Sequence, residues 1–195
     1  MKKLLISAMI LVMTALVGCQ FHQVKSPAQI QHKDSTEVVI FGGMTGYSTL
    51  QLHQAVSSML KEGKTELKIF VMSPGGMAYD FMGAVDVIKL AQNHGIHVTT
   101  EAFGLVASAA VPVFISGDTR IAGPNTQFMV HHIQTEGYVL TEDDIECITM
   151  LENFYIKHVA EHSDLTEEEV DKMMDEVTFF TAKQAKRYGM VDEII

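Results

Sequence analysis

Two cysteines in 195 residues, Cys19 and Cys147, are too few for a disulfide framework. Cys147 falls inside a helical pattern and reads as a packed or half-exposed thiol, not as a nucleophile. Basic residues are also scarce. Fourteen Lys+Arg against 24 Asp+Glu give a formal net charge of −10. That balance argues against nucleic acid or an anionic membrane surface as a partner. The apolar run from Leu4 to Val17 is too short to span a bilayer comfortably, which takes about 20 residues.

That run follows Met1-Lys2-Lys3, and a positive start before a short apolar stretch has the proportions of a secretory signal. It ends in Leu16-Val17-Gly18-Cys19, the form of a bacterial lipoprotein cleavage box, in which Cys19 would carry the lipid and become the new N-terminus. The expected organisation is a signal over residues 1–18, a polar tether over 19–36 and one domain over 37–195. The tether mixes Gln, His, Lys and Ser around Pro27 without a sustained period. The expected location is the bacterial envelope, with the lipid anchor as the sole membrane contact; a cytoplasmic protein is the alternative.

Within the domain, strand and helix patterns alternate. Glu37–Phe41 reads as a strand stopped by Gly42-Gly43, and Ser48-Thr49-Leu50-Gln51 has the form of a capping box opening a helix that ends near Gly63. Leu67–Met72 is the next strand, and Phe81, Val85 and Ile88 repeat at helical spacing up to Asn93-His94-Gly95. His97–Ala102 follows as a strand. Ile145, Ile148, Leu151, Tyr155 and Val159 then mark a long amphipathic helix with an acidic start capped by Thr141, and Thr166 caps a shorter one. Such alternation predicts an α/β domain with largely parallel strands.

The candidate chemistry lies between Ile69 and His132. Ser73-Pro74-Gly75-Gly76 ends a buried strand in a sharp turn, and Gly76, lacking Cβ, lets its N–H approach a bound group. A second turn, Phe103 to Ala110, places Ser108 where a helix can begin, so that free N–H groups and the helix dipole converge on it. Pro112 restricts Val111 and predicts a helix start close to Ser108, with a kink. Gln127–His132 is a short strand ending in two imidazoles, either of which can act as general base. Neighbouring strand residues point to opposite faces, so only one of the two can meet Ser108.

At these residues the chain resembles the proteolytic subunit of the Clp protease. Three motifs carry the resemblance in order: Ser73-Pro74-Gly75-Gly76, Gly104-Leu105-Val106-Ala107-Ser108 and Met129-Val130-His131. It extends from about Val38 to the C-terminus, where Phe180–Ala185 and Tyr188–Asp192 look like the family's last helix and strand. The resemblance implies an α/β fold of Clp/crotonase-like repeated β-β-α or β-α units with a protruding handle helix through which two rings meet. It implies Ser108 as nucleophile, His131 as base, and the N–H groups of Gly76 and Ala109 as oxyanion hole. No cofactor or metal is implied. The expected activity is serine-type hydrolysis of peptides or unfolded segments by a homo-oligomeric ring. An exported ring would be separated from the family's cytoplasmic ATPase partner.

One position departs from the family. Where the family has the aspartate of its triad, this chain has Val177, and Asp175 and Glu176 stand beside it as carboxylates that a shift in the loop could bring to the histidine. Two other readings therefore stand beside the peptidase: a ring-forming envelope scaffold that kept the fold and lost activity, and a crotonase-like acyl-CoA enzyme, which shares the oxyanion architecture without a Ser–His pair.

Overall fold

The computed structural model describes residues 34–135 and 139–195. The expected signal over 1–18, the lipidated Cys19 and the tether up to residue 33 lie outside the described residues. Thirteen elements follow: β1 (Ser35–Phe41), α1 (Gly46–Glu62), β2 (Glu66–Ser73), α2 (Ala78–Asn93), β3 (His97–Ala107), α3 (Ala110–Ile115), β4 (Thr119–Ala122), β5 (Gln127–Val130), α4 (Glu142–Glu161), α5 (Glu167–Asp175), β6 (Thr178–Thr181), α6 (Ala182–Arg187) and β7 (Glu193–Ile194). The order β1-β2-β3-β4-β7 forms a parallel sheet, and β5 leaves this path by pairing with β3 and, antiparallel, with β6. The mixed α/β fold is thus present. None of the described helices is long and apolar enough to cross a membrane.

Strand alternation decides which face is covered. Val38 and Ile40 of β1, Leu67, Ile69 and Val71 of β2, and Val98 and Ala102 of β3 are buried, and α1, α2 and α3 pack against these strands. The alternate residues are left uncovered, with Val39 59% and Phe41 71% exposed and Phe70 stacked on Phe103 at 5.2 Å. In a second cluster Phe128 meets Phe114 at a tilt at 5.3 Å and stacks on Phe180 at 5.5 Å, which clamps β5 between α3 and β6. Truncating one buried phenylalanine costs about 3–5 kcal/mol, and a one-residue slip of β5 would expose Phe128 and Val130 together. The cluster therefore fixes where the two imidazoles after β5 emerge.

Several local expectations are corrected. Pairing begins at Ser35, inside the segment expected to be tether, because Ser35 and Thr36 are in register with Glu66 and Leu67. Ser48 does not cap α1; the helix starts three residues earlier behind Thr45, which makes no side-chain cap bond. Thr141 and Thr166 do form capping boxes, with Asp144 and Glu169. The segment expected as a turn at Phe103 continues β3 to Ala107, with Gly104 at φ 71 marking an irregularity in the register to β2. There β3 changes partner, from β4 through Ala102 to β5 from Leu105 onward. The strand bends but does not end. Pro112 sits within the first turn of α3 and Val111 is helical, although the proline was expected to push it from helical angles; a first-turn proline removes no intrahelical bond. In α4 only the second half packs. Leu151, Tyr155, His158 and Val159 are buried, whereas Ile145, expected on the apolar face, is 53% exposed and the first two turns stand off the core.

His158 was not expected in that core, yet it is 7% exposed, its ring lies tilted against His162 at 4.1 Å, and its Nε2 donates at 2.9 Å to Ser116 Oγ, whose own hydrogen goes to Pro112 O. Burial, with the neighbouring His162 charge second, lowers its pKa from 6.5 to about 4. A depressed histidine pKa means the unfolded chain takes up the proton first as the pH falls. The stabilisation is complete above pH 6.5 and lost progressively down to about pH 4. It amounts to up to about 3 kcal/mol. Urea midpoints from pH 7 to 4 should therefore fall more steeply for the wild type than for His158→Gln. Parallel curves would contradict this.

Candidate active site

Ser108 follows the last residue of β3 and adopts φ 53, a left-handed conformation rare for serine. Such strain persists only where the surroundings over-determine it. Here the Ser108 N–H donates to the Met129 carbonyl at 2.8 Å, and its own carbonyl accepts from Val111 N–H at 3.0 Å and the Tyr155 hydroxyl at 3.2 Å. Burial pushes the Tyr155 phenol well above its ordinary range, so it stays a neutral donor. The parallel register Ala107↔Met129 then brings the end of β5, and His131 with it, beside Ser108.

The double glycine approaches from the other side. Gly75 has φ 101, and a Cβ there would lie 2.6 Å from Ser108 Cβ and 3.1 Å from Ser108 Oγ. Gly76 forms a bridge with Met44: Met44 N–H donates to Gly75 O at 2.7 Å and Met77 N–H to Met44 O at 3.2 Å. In that parallel pattern Gly76 directs its own N–H and C=O away from Met44. A Cβ on Gly76 would sit 2.1 Å from Met44 O, so only glycine permits the bridge. Among the described residues neither Gly76 N–H nor Ala109 N–H has a backbone acceptor outside the regular elements. Both residues line one cleft of about 480 Å³ with Ser108, His131 and Tyr155.

His131 Nδ1 bonds the carbonyl of His132. A carbonyl can only accept, so Nδ1 carries the proton and Nε2 is left as the basic nitrogen. No hydrogen bond joins His131 to Ser108 Oγ among the described residues. The structure sends the two carboxylate candidates elsewhere: Asp175 Oδ1 lies 3.2 Å from His132 Nε2, and Glu176, at the end of α5, is exposed. Neither meets His131. Val177 has φ 50, an outlier for a β-branched residue, and immediately precedes Thr178, which pairs with Val130, the residue before His131. Cys147 reaches the cleft wall from α4, its Sγ 2.7 Å from the Tyr79 hydroxyl. Sequence reasoning missed Tyr155 as the support of the Ser108 carbonyl and Glu152 beside the histidines, because both read as ordinary positions of an amphipathic helix.

Comparison with known proteins bears on the family and the fold. The Clp protease family model matches residues 35–195. ATP-dependent Clp protease proteolytic subunit 1 of Streptomyces avermitilis is 31% identical over 150 residues, covering 69% of this chain and 63% of that protein. Subunit 2 of Corynebacterium efficiens is 33% identical over 137 residues, covering 67% and 66%. The chain thus spans somewhat less than two thirds of the length of these relatives. A ClpP1 variant from Listeria monocytogenes has the same fold, with TM-score 0.73 at 24% identity over 82% of this chain and 90% of that one. With its serine, glycine and histidine segments folded around one cleft and its match running from the first strand to the last residue, the chain belongs to the Clp protease family.

Proposed function

We propose that this protein is a serine-type peptidase acting on peptides or unfolded segments. The observation that carries the reading is the strained Ser108, held in one cleft with His131 and with the N–H groups of Gly76 and Ala109. Ser108 Oγ attacks the scissile carbonyl while His131 Nε2 takes its proton, and the carbonyl oxygen, now an anion, accepts from Gly76 and Ala109 N–H. The protonated His131 then gives its proton to the leaving amine, and water repeats the sequence on the acyl-enzyme. Catalytic hydrogen bonds are often long without substrate, and Ser108 and His131 close on one another when a peptide enters. Activity is weak, since the Val177 position supplies no carboxylate. Labelling of Ser108 by a fluorophosphonate tests the reading, because only an activated serine reacts. A crotonase-like acyl-CoA activity has no observation in its favour.

Self-assembly belongs to the same proposal. The uncovered sheet face with Val39, Phe41 and Met72, and the exposed first half of α4 with Ile145 and Met150, are apolar surfaces suited to further copies of the chain. Protein lacking residues 1–18 should sediment as a ring-sized oligomer. A monomer at micromolar concentration would count against it.

The envelope location remains our proposal from the Leu16-Val17-Gly18-Cys19 box. Mass spectrometry of membrane-extracted protein should show a diacylglyceryl group on an N-terminal Cys19, and a chain still starting at Met1 would refute it. In that location no cytoplasmic ATPase can feed the ring, and substrates must be short or already unfolded.

A further inference from the structure

The peptide joining His132 to Ile133 is held at both ends. Its carbonyl accepts from His131 Nδ1, and its N–H donates to Glu152 Oε1 at 2.8 Å. The same Glu152 oxygen takes Nδ1 of His132 at 3.0 Å, while Nε2 of His132 meets Asp175 Oδ1 at 3.2 Å and Asp171 Oδ1 at 3.7 Å. Glu152 lies one turn before Tyr155 on α4, the residue whose hydroxyl supports the Ser108 carbonyl. Positions three apart share a helix face. One face of α4 therefore holds the backbone of the nucleophile through Tyr155 and the peptide next to the base through Glu152.

We propose that Glu152 is a positioning residue for His131, a carboxylate that acts on the imidazole through the His132–Ile133 peptide instead of touching it. The inference rests on the Ser108–His131 reading. A carboxylate on the peptide N–H makes a charge-assisted bond and polarises the amide, which strengthens its carbonyl as an acceptor for His131 Nδ1–H. That holds the ring in the tautomer whose Nε2 can take the Ser108 proton, and it keeps an acceptor in place when the ring becomes charged. His132 locks the arrangement from the side, its ring bridging Glu152 on α4 to Asp171 and Asp175 on α5. In this way Asp175 serves the site indirectly. The device serves a histidine that neither Asp175 nor Glu176 meets directly, and Glu152 comes to it from α4.

Three variants separate the parts. Glu152→Ala removes the acceptor and its charge, Glu152→Gln is isosteric and keeps an acceptor oxygen without the charge, and His132→Asn keeps a donor where Nδ1 stood. The oligomers are compared for the rate of Ser108 labelling by a fluorophosphonate, for kcat and KM on a fluorogenic peptide, and for the ring 15N shifts of selectively labelled histidine, which report the tautomer of His131. Glu152→Ala should slow labelling about 10²-fold, the scale of a misplaced catalytic group, through kcat with KM little changed. Its His131 should pass from a single Nδ1–H form to a mixture. Glu152→Gln should fall between, and His132→Asn should retain most of the rate. Unchanged labelling and an unchanged tautomer in Glu152→Gln and Glu152→Ala would overturn the proposal. A wild type that does not label while its His131 tautomer still depends on Glu152 would defeat the peptidase reading and leave the positioning role standing. Should Glu152→Ala fail to assemble, Glu152→Gln alone decides, and wild-type values in both readouts would overturn the proposal.

Discussion

Ser108→Ala is expected to abolish fluorophosphonate labelling and peptide turnover while leaving assembly intact. Among the described residues the side chain makes no hydrogen bond; what anchors residue 108 is its backbone, held by Met129, Val111 and Tyr155. Losing the nucleophile or the base of a serine site costs about 10⁶ in kcat where the site is complete, whereas a missing third member costs about 10⁴. Among the described residues no carboxylate meets His131, so turnover is expected to start low and the labelling reaction is the sharper readout. His131→Ala should slow labelling by orders of magnitude. Val177→Asp is the converse test. Residue 177 adjoins the pair Val130↔Thr178 next to His131 and has φ 50, where aspartate is tolerated and a β-branched side chain is strained by about 1–3 kcal/mol. The variant should therefore be no less stable than wild type and should turn over peptide faster. Equal, unmeasurable activity in wild type, Ser108→Ala and Val177→Asp, with intact assemblies in all three, would decide for the scaffold reading.

Gly76→Ala should have the next largest effect. The added Cβ would lie 2.1 Å from Met44 O and 2.7 Å from Met44 N, and both are backbone atoms that cannot rotate away. The bridge must open, which breaks the bonds from Met44 N–H to Gly75 O and from Met77 N–H to Met44 O. Overpacking of this kind costs about 1–3 kcal/mol. The larger loss is functional, because the N–H proposed to hold the oxyanion moves with the loop, and one such donor contributes about 10²–10³ in kcat. Gly43→Ala is the matched control: its Cβ would meet only Gly75 O, at an ordinary 3.9 Å. Labelling at the wild-type rate in Gly76→Ala would rule out Gly76 as the donor.

What the sequence determined by itself was local. The alternation in β1 and β2 announces strands with one buried face, because side chains alternate within a single strand. The boxes at Thr141 and Thr166 mark helix starts, because a cap bonds a group three residues on. Gly75 and Gly76 read as a turn that only glycine allows, because φ and the room for a Cβ are properties of the residue. Ser108 and His131 were named by the resemblance that the three motifs carry. Tertiary structure decided everything that depends on distant segments meeting. It extended β3 through Gly104 by changing the strand's partner, and it left the first half of α4 uncovered although its apolar spacing runs the full length. It gave Asp175 to His132 and not to His131, and it brought Glu152 and Tyr155, 19 and 47 residues from their backbone partners, to the two sides of the site. Periodicity places a residue on a face of its own helix. Which group of another element that face will meet depends on the packing angle and offset between elements, and these are set by the summed packing of the core around them.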